Sequence, residues 1–107
     1  MSYDLEIVVH HPDGYKTTVF DRNITYNLRP MLVAAGLADS LHTLEGMSGK
    51  EAQDLVYGVW RELRTRPDHY RSFDSPNGWG LHKNLLPWIR ALYVAVRTHP
   101  RGIIHIS

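Results

Sequence analysis

The chain has no cysteine among its 107 residues. A protein without cysteine cannot form a disulfide framework, a thiolate zinc site, an iron–sulfur cluster or a cysteine nucleophile. Its stability must therefore come from an ordinary hydrophobic core. With 43% hydrophobic and 21% charged residues, the composition is typical of one globular domain, and we expect residues 1–107 to form a single one. A reducing cytoplasm is the expected location.

Long apolar runs and an excess of charge of one sign are also missing. No apolar run is long enough to span a bilayer, so we expect no membrane association. The acidic residues Asp4 and Glu6 do not fit the pattern of a signal peptide. Lysine and arginine total 12 against 11 aspartate and glutamate, a formal net charge of +1. This balance does not demand a nucleic-acid partner.

Signatures of catalysis are absent as well. The sequence contains no GxSxG elbow, no phosphate loop with its lysine, no dinucleotide glycine pattern and no paired carboxylates at a characteristic spacing. Asp68, His69 and Asp74 could be combined with Ser72 or Ser75 into a dyad, but such combinations arise by chance in any domain of this size. We predict no catalytic residue and no cofactor.

Seven histidines are present, but their spacing does not indicate a metal site. There is no HExxH or comparable pair. His10 and His11 are adjacent, and neighbouring strand residues point to opposite faces. A site formed by His10 and His105 across a sheet stays open, while histidines that are solvated or locally bonded at strand ends are the favoured interpretation. No metal is predicted.

The two ends of the chain have the period of β-strands. Apolar side chains alternate at Tyr3, Leu5, Ile7 and Val9, which predicts a strand with one buried face. Pro12 and Gly14 supply turn chemistry before residues 16–20 resume an extended pattern, so we expect a hairpin. Residues 102–106 are β-branched and bounded by Pro100 and Gly102, which favours a third strand in the same small sheet.

The middle of the chain has helical periodicity. Asn27 is the predicted N-cap of a short helix that ends at Gly36. Residues 48–51, Ser-Gly-Lys-Glu, have the spacing of a capping box and begin a long helix that ends before Pro67. A single helical turn is expected over 67–73 and a partly ordered connection before Ser48. Another helix runs through Leu85 to Val96, with Pro87 in its first turn or at a kink.

These elements predict an α+β domain. The N-terminal β-hairpin and the C-terminal strand would form a small three-stranded sheet, packed on one face against three or four helices. Strand order is not determined by the pattern. A free sheet edge, at the hairpin or at the last strand, could pair with a second copy, so a homodimer stays open.

Two atypical segments are the candidate site. Residues 23–27, Asn-Ile-Thr-Tyr-Asn, and residues 76–80, Pro-Asn-Gly-Trp-Gly, each place asparagine and an aromatic ring where a helix begins. Local backbone hydrogen bonds are the favoured role of the asparagines. Trp79 is either a core plug or a stacking platform, and intramolecular packing is favoured. We expect the segments to pack together, with Asn23 or Asn27 bonding the backbone of the turn.

The ligand-binding or partner-binding candidates come from these segments and from the helix start that follows. His82 is the best candidate for a titrating group, although a surface histidine at a helix start is the favoured interpretation. The candidates are Asn23, Tyr26, Asn27, Asn77, Trp79 and His82.

An arginine-rich stretch offers a second candidate surface. Guanidinium groups suit phosphate recognition, and Arg61 and Arg64 share a helix face. Arg71 follows within the same stretch, while Glu62 and Asp68 interrupt it. A solvated helix face is favoured, and the near-neutral charge argues against capture of nucleic acid.

Asn23-Ile24-Thr25-Tyr26-Asn27-Leu28, followed later by Asn77-Gly78-Trp79-Gly80, resembles a family of small uncharacterised proteins of tailed phages and prophages of actinobacteria. The resemblance covers most of the chain, including the extended start, the long helix, the proline-bearing helix and the final strand. It implies a phage origin and one folded unit, but no activity and no catalytic residue.

Together these patterns favour a phage-encoded accessory protein that binds a host or phage protein without catalysing a reaction. The alternative is a small polar or nucleotide-like ligand held between the two segments, with Trp79 stacking on it. Phosphate or nucleic-acid binding through the arginine stretch is the third prediction.

Overall fold

The computed structural model describes all 107 residues and has an α+β fold. Three antiparallel strands form one sheet in the order β2-β1-β3. Strand β1 spans Ser2–His10, β2 spans Lys16–Thr25 and β3 spans Ile103–Ile106. The predicted fold class is confirmed, and the structure supplies the strand order that the sequence left open.

The alternation in β1 buries Tyr3, Leu5 and Ile7 as predicted, but it does not extend to Val9. Val8 is buried instead, and Val9 is half-buried. The register explains the change. Ile7 pairs with Phe20 and Val8 with Thr18, so the intervening residue of β2 is an extra one and the regular pairing is interrupted there.

Four helices and two 3₁₀ turns lie between β2 and β3. Helix α1 spans Arg29–Ala35, α2 spans Gly49–Thr65, α3 spans Pro67–Arg71 and α4 spans His82–Thr98. The turns cover Tyr26–Leu28 and Leu41–Leu44. None of the helices combines the length and the apolarity that crossing a membrane requires.

The capping box at the start of α2 is confirmed. The Glu51 N–H donates to Ser48 Oγ at 3.1 Å, and the Ser48 N–H donates to Glu51 Oε1 at 3.0 Å. These two bonds satisfy backbone groups that would otherwise lack partners at the helix start.

The predicted role of Asn27 is wrong, and one of the two alternatives for Pro87 is excluded. Asn27 is not an N-cap, because the helical segment begins with the 3₁₀ turn and the Asn27 N–H itself donates to Oγ1 of Thr25, the residue that caps this turn. Pro87 is not in the first turn of α4, because the helix begins at His82. Its ring is exposed, so the helical hydrogen bond that proline cannot make is lost on the solvent side.

Helices α2 and α4 run antiparallel and pack closely at both ends. His82, the first residue of α4, bonds the Leu63 carbonyl near the end of α2. At the opposite end, the Gly49 N–H donates to the Gly102 carbonyl at 2.8 Å, just after α4 ends. The buried stripes of the two helices meet the buried face of β1 in one hydrophobic core.

The two edges of the sheet differ. The outer edge of β3 is covered, because the Ile104 N–H donates to the Met47 carbonyl at 2.9 Å and the Ile104 carbonyl accepts from the Gly46 N–H at 2.8 Å. The segment before Ser48, predicted as a partly ordered connection, is thus a pairing partner of the sheet. On the outer edge of β2, one hydrogen bond is made, from Trp88 Nε1 to the Asn23 carbonyl at 3.0 Å.

A hydrogen bond between Tyr70 and Glu62 joins α3 to the end of α2. The Tyr70 hydroxyl donates to Glu62 Oε1 at 2.6 Å, and Arg66 donates to the same oxygen at 3.0 Å. These two hydrogen bonds lower the pKa of Glu62. Burial of the phenol, with the Glu62 hydrogen bond and negative charge, raises the pKa of Tyr70 to about 12.

We predict that Tyr70 makes stability depend on alkaline pH. The phenol in the unfolded chain ionises around its ordinary pKa of 10.0, whereas in the native state it stays protonated until about 12. Its contribution is therefore complete below about pH 10 and is lost as pH rises from about 10 to about 12. The difference in tyrosinate absorbance between wild type and Tyr70→Phe should titrate near pH 12. A difference titration centred near pH 10 would contradict this prediction. Tyr15→Phe, which removes an exposed tyrosine from the hairpin turn, is the matched control variant.

Candidate functional site

The two atypical segments lie against each other in the fold. Gly80 is buried with φ of 104°, and a Cβ at this position would lie 2.9 Å from Asn27 Cβ and 3.2 Å from the Asn27 carbonyl carbon. Only glycine combines this backbone conformation with so close an approach. The turn over residues 76–80 therefore rests on the backbone at Asn27.

The predicted hydrogen bond between these segments is absent, and they meet through the close approach of Gly80 to Asn27. Neither the Asn23 nor the Asn27 side chain bonds the turn. The Asn23 carbonyl instead accepts from the buried indole of Trp88, which belongs to α4. Both asparagine side chains are exposed and make no hydrogen bond within the protein, so their amides are free to meet another molecule.

The turn itself is held by side-chain hydrogen bonds. Asn77 Oδ1 accepts from the Trp79 N–H at 2.9 Å and from Ser75 Oγ at 2.6 Å. Asp74 Oδ1 accepts the His82 N–H at 2.7 Å, which fixes the junction with α4. Gly78 has φ of 79°, as such a turn requires. The turn is thus a defined platform rather than a loose connection.

This platform presents Trp79 to solvent, and the favoured prediction that the indole packs inside the protein is wrong. The side chain is 69% exposed. The physical reason is that Gly80 lies directly against Asn27, which leaves no room for a side chain between the turn and this residue. The nearby core position is occupied by Trp88. Because hydrogen bonds already fix the backbone of the turn, mainly the Trp79 side chain would lose freedom when a partner covers it.

Trp79 borders two depressions of the surface. One of about 740 Å³ is formed by residues near the chain start together with Asn23, Tyr26, Asn27 and Asn77. The other, of about 280 Å³, runs from Asn23 past Gly80 to Trp88 and Asn84. We call Asn23, Tyr26, Asn27, Asn77 and Trp79 the Trp79 surface. No aspartate, glutamate, lysine or arginine side chain lines either depression.

Tyr26 contributes an ordered aromatic wall to this surface. It is half-buried, and its ring packs edge-on to Tyr3 with 4.4 Å between centroids. The exposed indole, the half-buried phenol ring and the free amides offer stacking and hydrogen bonding. No protein-family model, curated protein or solved structure matches the chain. The chemistry of the Trp79 surface therefore carries the functional argument.

His82 lies away from this surface, and the prediction that it is a surface residue is wrong. It is the first residue of α4, as predicted, but only 2% exposed. Its Nε2 donates to the Leu63 carbonyl at 2.7 Å. Because a carbonyl only accepts, this nitrogen carries hydrogen, and the ring joins two helices instead of facing a ligand.

The candidate phosphate-binding arginines are engaged locally. Arg71 pairs with Asp68 at 3.2 Å, and the Arg64 guanidinium lies 4.2 Å from the centre of the Trp60 ring. Arg61 borders a shallow depression that also contains Asp54 and Glu62. Local carboxylates and an aromatic ring thus surround these cations, an arrangement that favours neutralisation over a shared anion site.

The histidines and the candidate dyad do not converge. In the register of the sheet His105 lies opposite Glu6, four residues along β1 from His10, which is about 13 Å. The hypothetical site from His10 and His105 is therefore wrong. No group of three or more histidine, aspartate or glutamate side chains is placed to hold a metal ion. Ser72 Oγ donates to the His69 carbonyl, a local turn contact.

Sequence reasoning missed Trp88 and Asn84. Trp88 anchors the Asn23 backbone, and the exposed Asn84 lines the smaller depression. The signal for Trp88 was present, because it follows Leu85 by three residues and precedes Leu92 by four on the apolar stripe of α4. Its contact across the domain with β2 carries no local sequence signal.

Proposed function

We propose that this protein is a non-catalytic interaction module that binds another protein through the Trp79 surface. The observation that carries the proposal is the indole of Trp79, 69% exposed on a turn fixed by Asn77. Tryptophan is enriched among the residues that dominate binding energy at protein interfaces, where charged side chains are depleted at the centre. No charged side chain lines the depressions beside Trp79, as is typical of such a centre.

The resemblance to phage and prophage proteins supports a more specific version of this proposal. In it, the module is a phage-encoded accessory protein that acts in the cytoplasm of an actinobacterial host, on a host or a phage protein. Occupying a partner's surface requires no catalytic group, and the Trp79 surface contains none of the nucleophile and base pairs that chemistry would need.

A small polar ligand is the second candidate function. The depression of about 740 Å³ and the free amides of Asn23 and Asn27 support it. Its lining has no lysine or arginine, so the phosphates of a nucleotide would find no cationic side chain there. Under this alternative the ligand is a neutral ring system that stacks on Trp79.

Replacing Trp79 by alanine tests the proposal. We expect the free energy of unfolding to change by no more than about 0.5 kcal/mol, because the side chain is mostly solvated. Recovery of the bound protein should fall, with affinity at least ~30-fold lower, as for a central tryptophan worth about 2 kcal/mol. The measurement is a pull-down from actinobacterial lysate followed by calorimetry with the protein recovered.

Tyr15→Ala is the matched control, since Tyr15 is 74% exposed at the far end of the hairpin. A partner that is lost with Trp79→Ala and kept with Tyr15→Ala supports the proposal. Equal recovery by all three proteins contradicts it. A metabolite released from wild type but not from Trp79→Ala would instead favour the ligand alternative, and a large loss of stability would assign Trp79 a structural role.

A further inference from the structure

The outer edge of β2 has unused backbone hydrogen-bonding groups. Asp4 exchanges both of its backbone hydrogen bonds with Ser107, at 3.0 and 2.9 Å, so its polar groups point away from β2. In an antiparallel ladder, the backbone N–H and C=O groups of Asn23, which pairs with Asp4, then point to the outer edge of β2. The backbone groups of Asp21, two residues earlier in β2, point the same way. Only the Asn23 carbonyl has a partner there, Trp88. A further strand could form hydrogen bonds with the other outward-pointing backbone groups of Asn23 and Asp21.

A groove runs beside this edge, between β2 and α4. Its helical wall is a stripe at i, i+4 and i+7, formed by the exposed Pro87 and Val94 with the half-buried Ala91 between them. Val94 is 53% exposed although it is apolar. Val19 and Phe20 form the opposite wall, and the depression has a volume of about 520 Å³. A strand added to β2 would direct alternate side chains onto this apolar stripe.

The charge of the groove is positive. Arg22 and Arg90 both line it, and neither has a carboxylate partner within ion-pair distance. No aspartate or glutamate is among the lining residues, and His99 lies at one end. The Arg22 guanidinium is 5.4 Å from the centre of the Phe20 ring, which keeps it over the groove wall. Carboxylates on an incoming segment would meet both guanidinium groups.

We propose that this groove binds an extended segment of another protein as a fourth strand on β2, with apolar and acidic side chains both on the face that the segment turns to the groove. The charge argues against a second copy of the chain in this position. In a symmetric pairing of two β2 edges, Arg22 of each copy would approach the arginines of the other, and like charges disfavour the contact. The Asn23 backbone lies where this edge meets the Trp79 surface, but none of the residues that line the groove belongs to that surface, so either proposal can fail without the other.

Binding of designed peptides to the full chain tests this inference. The probe is the acetylated nonapeptide VTETVTETV, in which valines and glutamates share one face, compared with VTKTVTKTV and with a VTETVTETV peptide N-methylated at alternate residues. We expect the acidic peptide to bind at least ~10-fold more tightly than the lysine peptide by fluorescence anisotropy. N-methylation should abolish binding because it removes the donors for strand pairing. Amide exchange at Asp21 should slow in the complex.

Two variants of α4 complete the test. Arg90→Glu should weaken binding of the acidic peptide at least ~10-fold, whereas Arg97→Glu, the same charge change outside the groove, should alter it by less than about twofold. Equal affinity for the two peptides, equal loss with both variants, unchanged binding after N-methylation, or no binding at millimolar peptide overturns the proposal. A dimer detected by light scattering also overturns the proposal if Arg90→Glu strengthens that dimer, because a second copy of the chain would then occupy the groove.

Discussion

Gly49→Ala is expected to lower the free energy of unfolding by about 3 kcal/mol, the upper part of the usual range for overpacking. Gly49 is the first residue of α2 and lies directly on the carbonyl groups that end α4. An added Cβ would lie 2.7 Å from the Val96 carbonyl oxygen and closer still to that of His99. Because these are backbone atoms, the overlap can be relieved only if α2 and the end of α4 move apart.

Thermal and urea unfolding measure this effect, and the melting temperature should fall by roughly 10 °C or more. Gly58→Ala is the matched control in the same helix. A Cβ at Gly58 meets no atom within 4 Å, so alanine should stabilise by about 0.5–1 kcal/mol through its helix propensity. If the two variants have the same stability, the close approach of α2 to α4 at Gly49 is contradicted.

Gly80→Ala is expected to cost about 3 kcal/mol, because two penalties combine. The φ of 104° is unfavourable for alanine, by about 1–2 kcal/mol, and the new Cβ would overlap Asn27. Gly78→Ala in the same turn separates these terms. Gly78 has φ of 79° but nothing within 4 Å of a Cβ, so only the conformational penalty applies there, about 1 kcal/mol.

Urea unfolding of the two variants measures the contact between the turn and Asn27. Asn27→Gly in the Gly80→Ala background should recover about 1 kcal/mol, since it removes the nearest atom of the overlap. Equal costs at positions 78 and 80, or no recovery in the double variant, would show that the two segments do not depend on each other. The folded Gly80→Ala protein should also bind a partner of the Trp79 surface more weakly, because its platform is displaced.

The sequence by itself determined the elements of this fold. Period-two alternation gave β1 up to Ile7, the capping box fixed the start of α2, and apolar stripes gave the extent of α2 and the central part of α4, though not its start at His82. These features depend on residues close together in the chain, where propensity and hydrophobic pattern act directly. The pairing of residues 23–27 with residues 76–80 as a site was indicated by composition alone.

The orientation of the side chains at the site was decided only by the tertiary structure. Trp79 points to solvent on a turn whose Gly80 approaches Asn27, and the bond of the Trp88 indole to the Asn23 carbonyl depends on the packing of α4 beside β2. His82 was buried because the end of α2 supplied a carbonyl acceptor. Likewise, β2 became the open edge because the segment before Ser48 covered β3. Each outcome is a contact between distant parts of the chain, and local sequence pattern does not determine such contacts.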